Sequence, residues 1–276
     1  MPLYAACNED NSEKNIVFLE SIEKITQRSL DNKFFRIAIT SNMCKKLIYC
    51  SYKSLKPFII MSDKYYLYDI RILKKFNFKI TDSYINNCDN VEILSYLKAT
   101  NKILKCPEYA LFTATAHHNI NVLEWWKNSG FPLKYNSKLL DTLYCNTDML
   151  DWWKNSGLEL EYSEDVLDYA SRYGYIDILD WWLNSGLELK YSEDALNNAS
   201  NYDHIDVLEW WFNSGLPLKY DERALDLASS NGHVDVLEWW KNSGLKLKYT
   251  QYSMIWASDN GHIDVLKWWD NSGLLD

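Results

Sequence analysis

Hydrophobic and polar positions in the second half of the chain follow one recurring order. In residues 231–245, NGHVDVLEWWKNSGL, a mostly apolar segment lies between two turns that contain glycine. The segment before it carries Leu225 and Ala228, which are three positions apart and therefore share one face of a helix. Gly232 and Gly244 follow the two segments, and glycine ends helices readily because it adopts the left-handed conformation without steric cost. The pattern predicts two short helices joined by a tight turn. We call them the first and the second helix of the unit.

This unit recurs six times, and its tryptophan pairs show the period. The pairs begin at Trp125, Trp152, Trp181, Trp210, Trp239 and Trp268, and the intervals between them are 27, 29, 29, 29 and 29 residues. A helix that is apolar on nearly every side has to be buried on nearly every side, which a single helix pair cannot achieve. Stacked pairs can cover one another, so the repeat predicts a solenoid. The regular array occupies residues 107–276, and residues 1–106 are expected to form an irregular helical cap with degenerate repeats.

The repeated residues resemble those of a known family. Residues 227–245, LASSNGHVDVLEWWKNSGL, resemble the ankyrin pattern A-x-x-G-H-x-x-V-V-x-L-L-L-x-x-G-A, with the tryptophan pair at two of its leucine positions. Residues 2–22, PLYAACNEDNSEKNIVFLESI, look like a degenerate version of the ankyrin opening. The period of 29 residues is shorter than the ankyrin period of about 33, and the missing residues fall where ankyrins carry a β-hairpin.

This compact type is similar to the ankyrin-like arrays that form large families in giant DNA viruses of amoebae, and to some arrays in protists and fungi. The resemblance implies an all-α fold, an ankyrin-like helical solenoid of stacked helix-turn-helix repeats with shortened or absent β-hairpins. It also implies a protein–protein interaction scaffold in the cytoplasm, which for a viral protein is the cytoplasm of the host. Partners of such arrays usually dock in the concave groove.

The tryptophans have two interpretations. An exposed aromatic ladder would stack carbohydrates or bases, whereas rings at the ankyrin leucine positions would form the core between repeats, and the registration favours the core. One ring of each pair is expected at the rim, where its N–H finds a partner. The residues assigned to this structural core are Trp125, Trp126, Trp152, Trp153, Trp181, Trp182, Trp210, Trp211, Trp239, Trp240, Trp268 and Trp269.

Polar residues also recur once per repeat. His204, His233 and His262 cannot converge on one zinc ion, because neighbouring helices stack about 8–10 Å apart and zinc ligands lie about 2 Å from the metal. The resemblance implies that these histidines tie down the turn between the helices. Aspartates lie in the first turn of the second helix, where the helix dipole favours them: Asp177, Asp206, Asp235 and Asp264. The glutamates interpreted as a solvated face are Glu124, Glu209 and Glu238.

Composition and charge narrow the classes of function. Residues 107–276 contain 12 basic and 27 acidic residues, so this part repels phosphate backbones and no nucleic-acid partner is expected. No run of 18 apolar residues is present, so no membrane contact is expected, and six scattered cysteines fit a reducing compartment. The motifs GxxxxGK, GxGxxG, HExxH and GxSxG are absent, so neither an enzyme nor a bound cofactor is expected.

Positions that change from unit to unit are the candidates for partner binding. In an ankyrin-like solenoid they face the concave groove, and divergence there fits a scaffold reused for different partners, although relaxed surface drift explains it equally well. The candidates are Tyr169, Arg172, Tyr173, Asn198, Asn201, Tyr202, Leu227, Ser230, Asn231, Trp256 and Asp259. The residues directly after the framework leucine are placed on the same groove: Asp141, Asp168, Asn197, Asp226 and Ile255.

Three further hypotheses concern partners. The segment TQYSMIWASDNGH at residues 250–262 is more apolar than its counterparts, so self-association or a partner contact through the C-terminal repeat is expected. An adaptor that recruits a host complex, such as a ubiquitin ligase, would need a docking helix in residues 1–60. A carbohydrate binder would use exposed tryptophan.

Overall fold

The computed structural model describes residues 3–7, 17–19, 34–40, 59–61, 65–76, 80–135, 139–141 and 146–274. The chain forms two compact units, residues 1–135 and residues 136–276. This division differs from the predicted boundary between residues 106 and 107. The first tryptophan pair therefore belongs to the first unit and the other five belong to the second.

The first unit begins with a small antiparallel sheet. Its strands are β1 (Leu3–Cys7), β2 (Val17–Leu19), β3 (Phe34–Thr40), β4 (Ile59–Met61) and β5 (Tyr65–Tyr66). The strand order is β2-β1-β3-β4, and β5 also pairs with β3. Five of the seven residues in β3, FFRIAIT, are aromatic or β-branched, and such residues favour extended backbone. The structure thus corrects the expected helical cap for these residues, and β1 and β2 replace the degenerate ankyrin opening.

From Ile70 onward the described chain is α-helical. The helices of the first unit are α1 (Ile70–Phe76), α2 (Asp82–Asn86), α3 (Val91–Ala99), α4 (Ala110–Ala116) and α5 (Ile120–Lys127). Those of the second unit are α6 (Thr147–Asn155), α7 (Asp165–Arg172), α8 (Ile176–Asn184), α9 (Asp194–Asn201), α10 (Ile205–Asn213), α11 (Arg223–Ser230), α12 (Val234–Asn242), α13 (Tyr252–Asp259) and α14 (Ile263–Ser272). The expected α-helical class is confirmed in this region.

The pair α2–α3 binds the pair α4–α5 through bonds that explain why the first unit extends past residue 106. Trp125 Nε1 donates to Ser95 Oγ at 2.9 Å, and Asn119 Nδ2 donates to the carbonyl of Asp89 at 3.2 Å. Lys98 Nζ donates to the carbonyl of Ser129 at 2.5 Å. The helix pair before residue 106 therefore makes contacts of the same kind as the regular pairs that follow.

The core of the second unit lies on one side of each helix. In α11, Leu225 and Ala228 are fully buried, and in α12 the buried residues are Val236, Leu237 and Trp240. The first residue of the second helix remains accessible, and in α14 that residue, Ile263, is 63% exposed. The second helices are thus buried along one stripe, not on nearly every side as their composition suggested.

Tyrosine and lysine side chains tie the loops between successive pairs. Tyr191 Oη donates to the carbonyl of Pro217 at 2.9 Å. Lys219 Nζ lies 4.4 Å from the centroid of the Tyr191 ring and donates to its carbonyl at 2.8 Å. Tyr220 repeats the arrangement with the Lys246 carbonyl and the Lys248 ammonium group. These loops contain no strand in the described second unit, so side chains hold them where a hairpin ladder would otherwise do so.

Buried side chains on α7, α9 and α11 hold the start of the next first helix. Asp168 accepts from the backbone N–H of Ser192 at 3.0 Å and from its hydroxyl at 2.5 Å. Ser192 Oγ in turn accepts from the N–H of Asp194 at 3.0 Å, which caps the helix. The same pair of bonds joins Asp141 to Ser163 and Asp226 to Thr250. These positions were expected on the groove, and the structure corrects this because they are buried joints between helix pairs.

The joint between α9 and α11 has a buried amide in place of the buried carboxylate. Asn197 Nδ2 donates to Asp221 Oδ1 at 2.9 Å, and the N–H of Asp221 donates to Asn197 Oδ1 at 3.3 Å. Where the next helix is capped by serine or threonine, the buried residue is aspartate. Where the cap is itself an aspartate, the buried residue is asparagine, because an amide can donate to a carboxylate and a second carboxylate cannot.

We predict that Asn197→Asp lowers the free energy of unfolding by about 1–3 kcal/mol, because a buried carboxylate would then face the Asp221 carboxylate. Adding Asp221→Ser recreates an aspartate–serine joint like that of Asp168 and Ser192, so the double variant should recover most of the loss. Urea unfolding of the wild type, both single variants and the double variant gives the coupling energy. Additive effects of the two changes would contradict the assigned joint.

Burial also changes the pKa of two of the joint carboxylates. It raises the pKa of Asp168 to about 6, against the opposing effect of the two Ser192 bonds, and it raises the pKa of Asp141 in the same direction. The folded chain therefore binds a proton at Asp168 more tightly than the unfolded chain does. As pH rises from the ordinary aspartate value toward about 6, the unfolded chain loses this proton first and stability declines.

We predict that the free energy of unfolding of the wild type falls by up to about 2–3 kcal/mol between roughly pH 4 and pH 6 through Asp168. Asp168→Asn should flatten this part of the profile, because the amide has no proton to release in this range. Urea unfolding at half-unit pH steps measures the difference between the two proteins. Asp177→Asn, at an exposed position on α8, is the control, and a profile for Asp168→Asn identical to the wild type would refute the effect.

Candidate partner-binding surface

The tryptophan pairs divide into an inner and an outer ring. The inner tryptophans are buried: Trp126, Trp153, Trp182, Trp211, Trp240 and Trp269. The outer tryptophans are half-buried: Trp125, Trp152, Trp181, Trp210, Trp239 and Trp268. The two rings of a pair meet edge to face, with centroids 4.8 Å apart at Trp125–Trp126 and 5.2 Å apart at Trp181–Trp182. As expected from the sequence, one ring of each pair is a core residue and the other a rim residue, because the two occupy different sides of the helix.

In three pairs, Trp210–Trp211, Trp239–Trp240 and Trp268–Trp269, both rings donate their N–H to the preceding helix pair. Trp239 Nε1 donates to a Glu209 carboxylate oxygen at 2.6 Å, and Trp240 Nε1 donates to Ser200 Oγ at 2.9 Å. The outer bonds at the same 30-residue spacing are Trp181–Asp151, Trp210–Asp180 and Trp268–Glu238. The inner bonds at the same 40-residue spacing are Trp211–Ser171 and Trp269–Ser229. The paired rings are therefore packing groups of the helix stack.

These acceptors were missed at the level of sequence. Glu209 and Glu238 are exposed, as a solvated face would be, yet each also accepts an indole N–H from the next pair. The bonds from Trp268 and Asn242 hold the pKa of Glu238 below its ordinary value. A signal was present in the repeat, because Ser171, Ser200 and Ser229 occupy one position of the first helix in successive units.

The histidines bind the turn of the preceding pair. His204 Nε2 lies 3.1 Å from the carbonyl oxygen of Arg172, and His233 Nε2 lies 3.1 Å from that of Asn201. Because a carbonyl only accepts, Nε2 carries the proton in both residues. A Cβ at Gly174 would lie 3.0 Å from the His204 ring, so this turn favours glycine for space as well as for its positive φ, although Asp203 occupies the same position in the next repeat with a positive φ. In the described residues, no cluster of three or more His, Cys, Asp or Glu side chains could hold a metal ion.

The eleven candidate binding residues differ in accessibility. Five are exposed: Tyr173, Tyr202, Asn231, Trp256 and Asp259. Six are half-buried: Tyr169, Arg172, Asn198, Asn201, Leu227 and Ser230. All of them lie on the first helices or on the turns that follow, within the second unit. We call this set the variable surface.

Arg172 packs against the rings of Tyr173 and Tyr202 in the variable surface. Its guanidinium carbon lies 5.5 Å from the Tyr173 ring centroid and 4.9 Å from that of Tyr202, and its Nη2 donates to Tyr202 Oη at 2.6 Å. Tyr173 stacks on Tyr175, with centroids 6.1 Å apart. The three tyrosines are each about 40% exposed. Arginine and tyrosine are enriched among the residues that dominate protein–protein binding energies.

Asn231 of the variable surface and its counterpart in the last repeat, Asn260, also bind the preceding pair. Asn231 Nδ2 donates to the side-chain oxygen of Asn201 at 2.7 Å and to its carbonyl at 3.2 Å. Asn260 Nδ2 donates to the carbonyl of Ser230 at 2.7 Å. Several predicted binding residues thus connect neighbouring pairs. For Tyr173, Asn198 and Asp259, the described part of the chain shows no side-chain hydrogen bond.

Trp256 is the tryptophan outside the pairs. Its ring is 36% exposed and stacks on Tyr252 with centroids 5.0 Å apart and an angle of 23° between the rings. The carbohydrate hypothesis needs accessible rings, and this stacked pair is the clearest case in the second unit. The docking helix expected in residues 1–60 lies outside the described residues, since the described parts of that range are strands.

No protein-family model matches the chain, and no curated protein matches it. Within the described ranges, no helix combines the length and the apolar character needed to cross a bilayer.

We predict that Tyr202→Phe lowers the free energy of unfolding by about 0.5–1.5 kcal/mol, because it removes the bond from Arg172 while keeping the ring. Tyr202→Ala should cost more, since the cation–π contact is also lost. Tyr173→Phe is the matched control, because the Tyr173 hydroxyl makes no hydrogen bond among the described residues. Urea unfolding measures all three, and equal stability of Tyr202→Phe and the wild type would show that Tyr202 is not part of the joint.

Proposed function

We propose that this chain is a non-enzymatic protein–protein interaction scaffold, an ankyrin-like helical solenoid that presents the variable surface to a protein partner. It belongs, on this proposal, with the compact ankyrin-like arrays of giant viruses and acts in the cytoplasm, which for a viral protein is that of the host. The supporting observation is the contrast between contacts that recur in every described joint of the second unit and exposed residues that change between repeats.

The recurring contacts make a rigid support. Each described joint of the second unit combines an indole N–H bond across 30 residues with a buried side chain that binds the residue capping the next first helix. A surface carried on such a support is ordered before a partner arrives, so binding loses less conformational entropy.

The variable surface has the composition that partner recognition requires. Tyr173, Tyr202 and Trp256 expose rigid aromatic area, and the Arg172 guanidinium lies between two of these rings. The excess of acidic residues in residues 107–276 favours a partner with a basic surface, because opposite charges speed association and exclude like-charged competitors.

The test compares two triple variants in affinity capture from cells that express the protein. The surface variant carries Tyr173→Ala, Trp256→Ala and Asp259→Ala, and the control carries Glu164→Ala, Glu193→Ala and Glu222→Ala at exposed positions on the helix starts. We expect a protein that binds the wild type and the control but is lost from the surface variant, and that binds the purified chain directly in calorimetry.

Thermal unfolding must first show that both variants are folded. If every protein captured by the wild type is also captured by the folded surface variant, the variable surface is not the binding site and the proposal fails. A glycan array with the same proteins tests the carbohydrate alternative, and binding lost with Trp256→Ala would favour it.

A further inference from the structure

The last helix pair, α13 and α14, presents a face that differs from the corresponding face of every earlier pair in the second unit. Its position follows from the 29-residue period, because residues that contact the next pair in earlier repeats have counterparts here. We call Met254, Ile255, Leu266, Lys267 and Asp270 the terminal face. The framework residues Met254 and Leu266 are half-buried, whereas their counterparts Leu225 and Leu237 are fully buried.

Two polar acceptors of the earlier faces are replaced on the terminal face, whereas Ser258 keeps the position of the inner-ring acceptors Ser171, Ser200 and Ser229. Ile255, which is 43% exposed, stands where Asp226 accepts from the Thr250 cap. Lys267 stands where Glu238 accepts the N–H of Trp268. Since an ammonium group has only donors, it cannot receive an indole N–H.

Residue 270 of the terminal face also differs from its counterparts in the earlier pairs. Lys241 lies 5.9 Å from the ring centroid of Trp268, and Phe212 packs edge to face on Trp239 at 6.1 Å. The counterpart in the last pair is Asp270. A carboxylate is repelled by the negative face of an indole ring. A further tryptophan-paired repeat would therefore lose its cap acceptor, the acceptor of its outer indole N–H and its outer-ring contact on this face.

The terminal face matches a second copy of itself. Lys267 and Asp270 are three positions apart on α14, so they lie side by side on the helix surface. In a twofold contact every residue pair occurs twice, and two antiparallel copies of α14 would place each Lys267 against the other copy's Asp270. Met254, Ile255 and Leu266 supply the apolar centre. Lys267 already lies 2.9 Å from Asp264, but that pair is exposed and contributes little to hold the lysine in place.

We infer that the chain self-associates through an isologous contact of its terminal face, centred on Ile255 and bordered by reciprocal Lys267–Asp270 ion pairs. This inference does not depend on the proposed partner binding, because the variable surface and the terminal face are different residues.

Sedimentation velocity over a range of concentrations tests the contact. Ile255→Asp restores the residue type of the earlier joints and should weaken dimerisation at least about tenfold, because it buries a charge in the apolar centre. Lys246→Asp and Asp235→Lys change charge at exposed positions outside the face and should leave the dimerisation constant unchanged.

Exchanging the charges of Lys267 and Asp270 tests the inferred ion pairs between the two copies. Lys267→Asp and Asp270→Lys should each weaken dimerisation about tenfold or more, since each creates two like-charge contacts in the twofold arrangement. An equimolar mixture of the two variants should associate again, because the faces are then complementary, and the double variant should dimerise like the wild type. A wild type that remains monomeric at its highest soluble concentration would overturn the inference, as would a mixture no more associated than its components.

Discussion

A buried indole N–H is stabilised by an acceptor, and in the second unit most of these acceptors lie on the preceding helix pair, where they help to fix how one pair stacks on the next. Trp182 Nε1 is an exception, because it is buried without a partner among the described residues. A buried donor without a partner costs about 1–3 kcal/mol, so an inner tryptophan stacks best where a serine of an earlier first helix meets it. Trp211, Trp240 and Trp269 all find this serine 40 residues back. In the first unit the same spacing leads from Trp126 to Asn86, and Trp126 Nε1 and Asn86 Oδ1 are both buried without a partner among the described residues.

The aspartate and asparagine joints follow from the same constraint applied to the backbone. The first N–H groups of a helix have no partner within it, and a helix start buried under its neighbour must find one. Asp168 and Ser192 meet this need together, one on each side of the joint. Since the cap is held from the preceding pair and tyrosine and lysine hold the loop, a 29-residue unit can stack without a hairpin in its described loops.

Part of this arrangement can be predicted from the amino-acid sequence alone. The period, the burial of Trp240 and the turn at Gly232 follow from apolar spacing and glycine chemistry, which are local signals. The bond from Trp239 to Glu209 does not, because an exposed glutamate on a helix looks solvated until the ring 30 residues later is placed over it. β3 was missed for another reason: the strength of the later repeat suggested helices throughout, although the aromatic and β-branched residues of Phe34–Thr40 favour a strand.

The contacts between neighbouring helix pairs also limit which surface residues can differ from one repeat to the next. The residue that ends one first helix binds the residue 30 positions later, as Arg172 binds Tyr202 and Asn201 binds Asn231. Such positions can change only in compatible pairs, since a change on one side leaves a donor or acceptor on the other without its partner. Differences between repeats at these positions therefore reflect packing as much as recognition. Tyr173 and Trp256 are free of this coupling within the described residues, so selection by a partner would act there most directly.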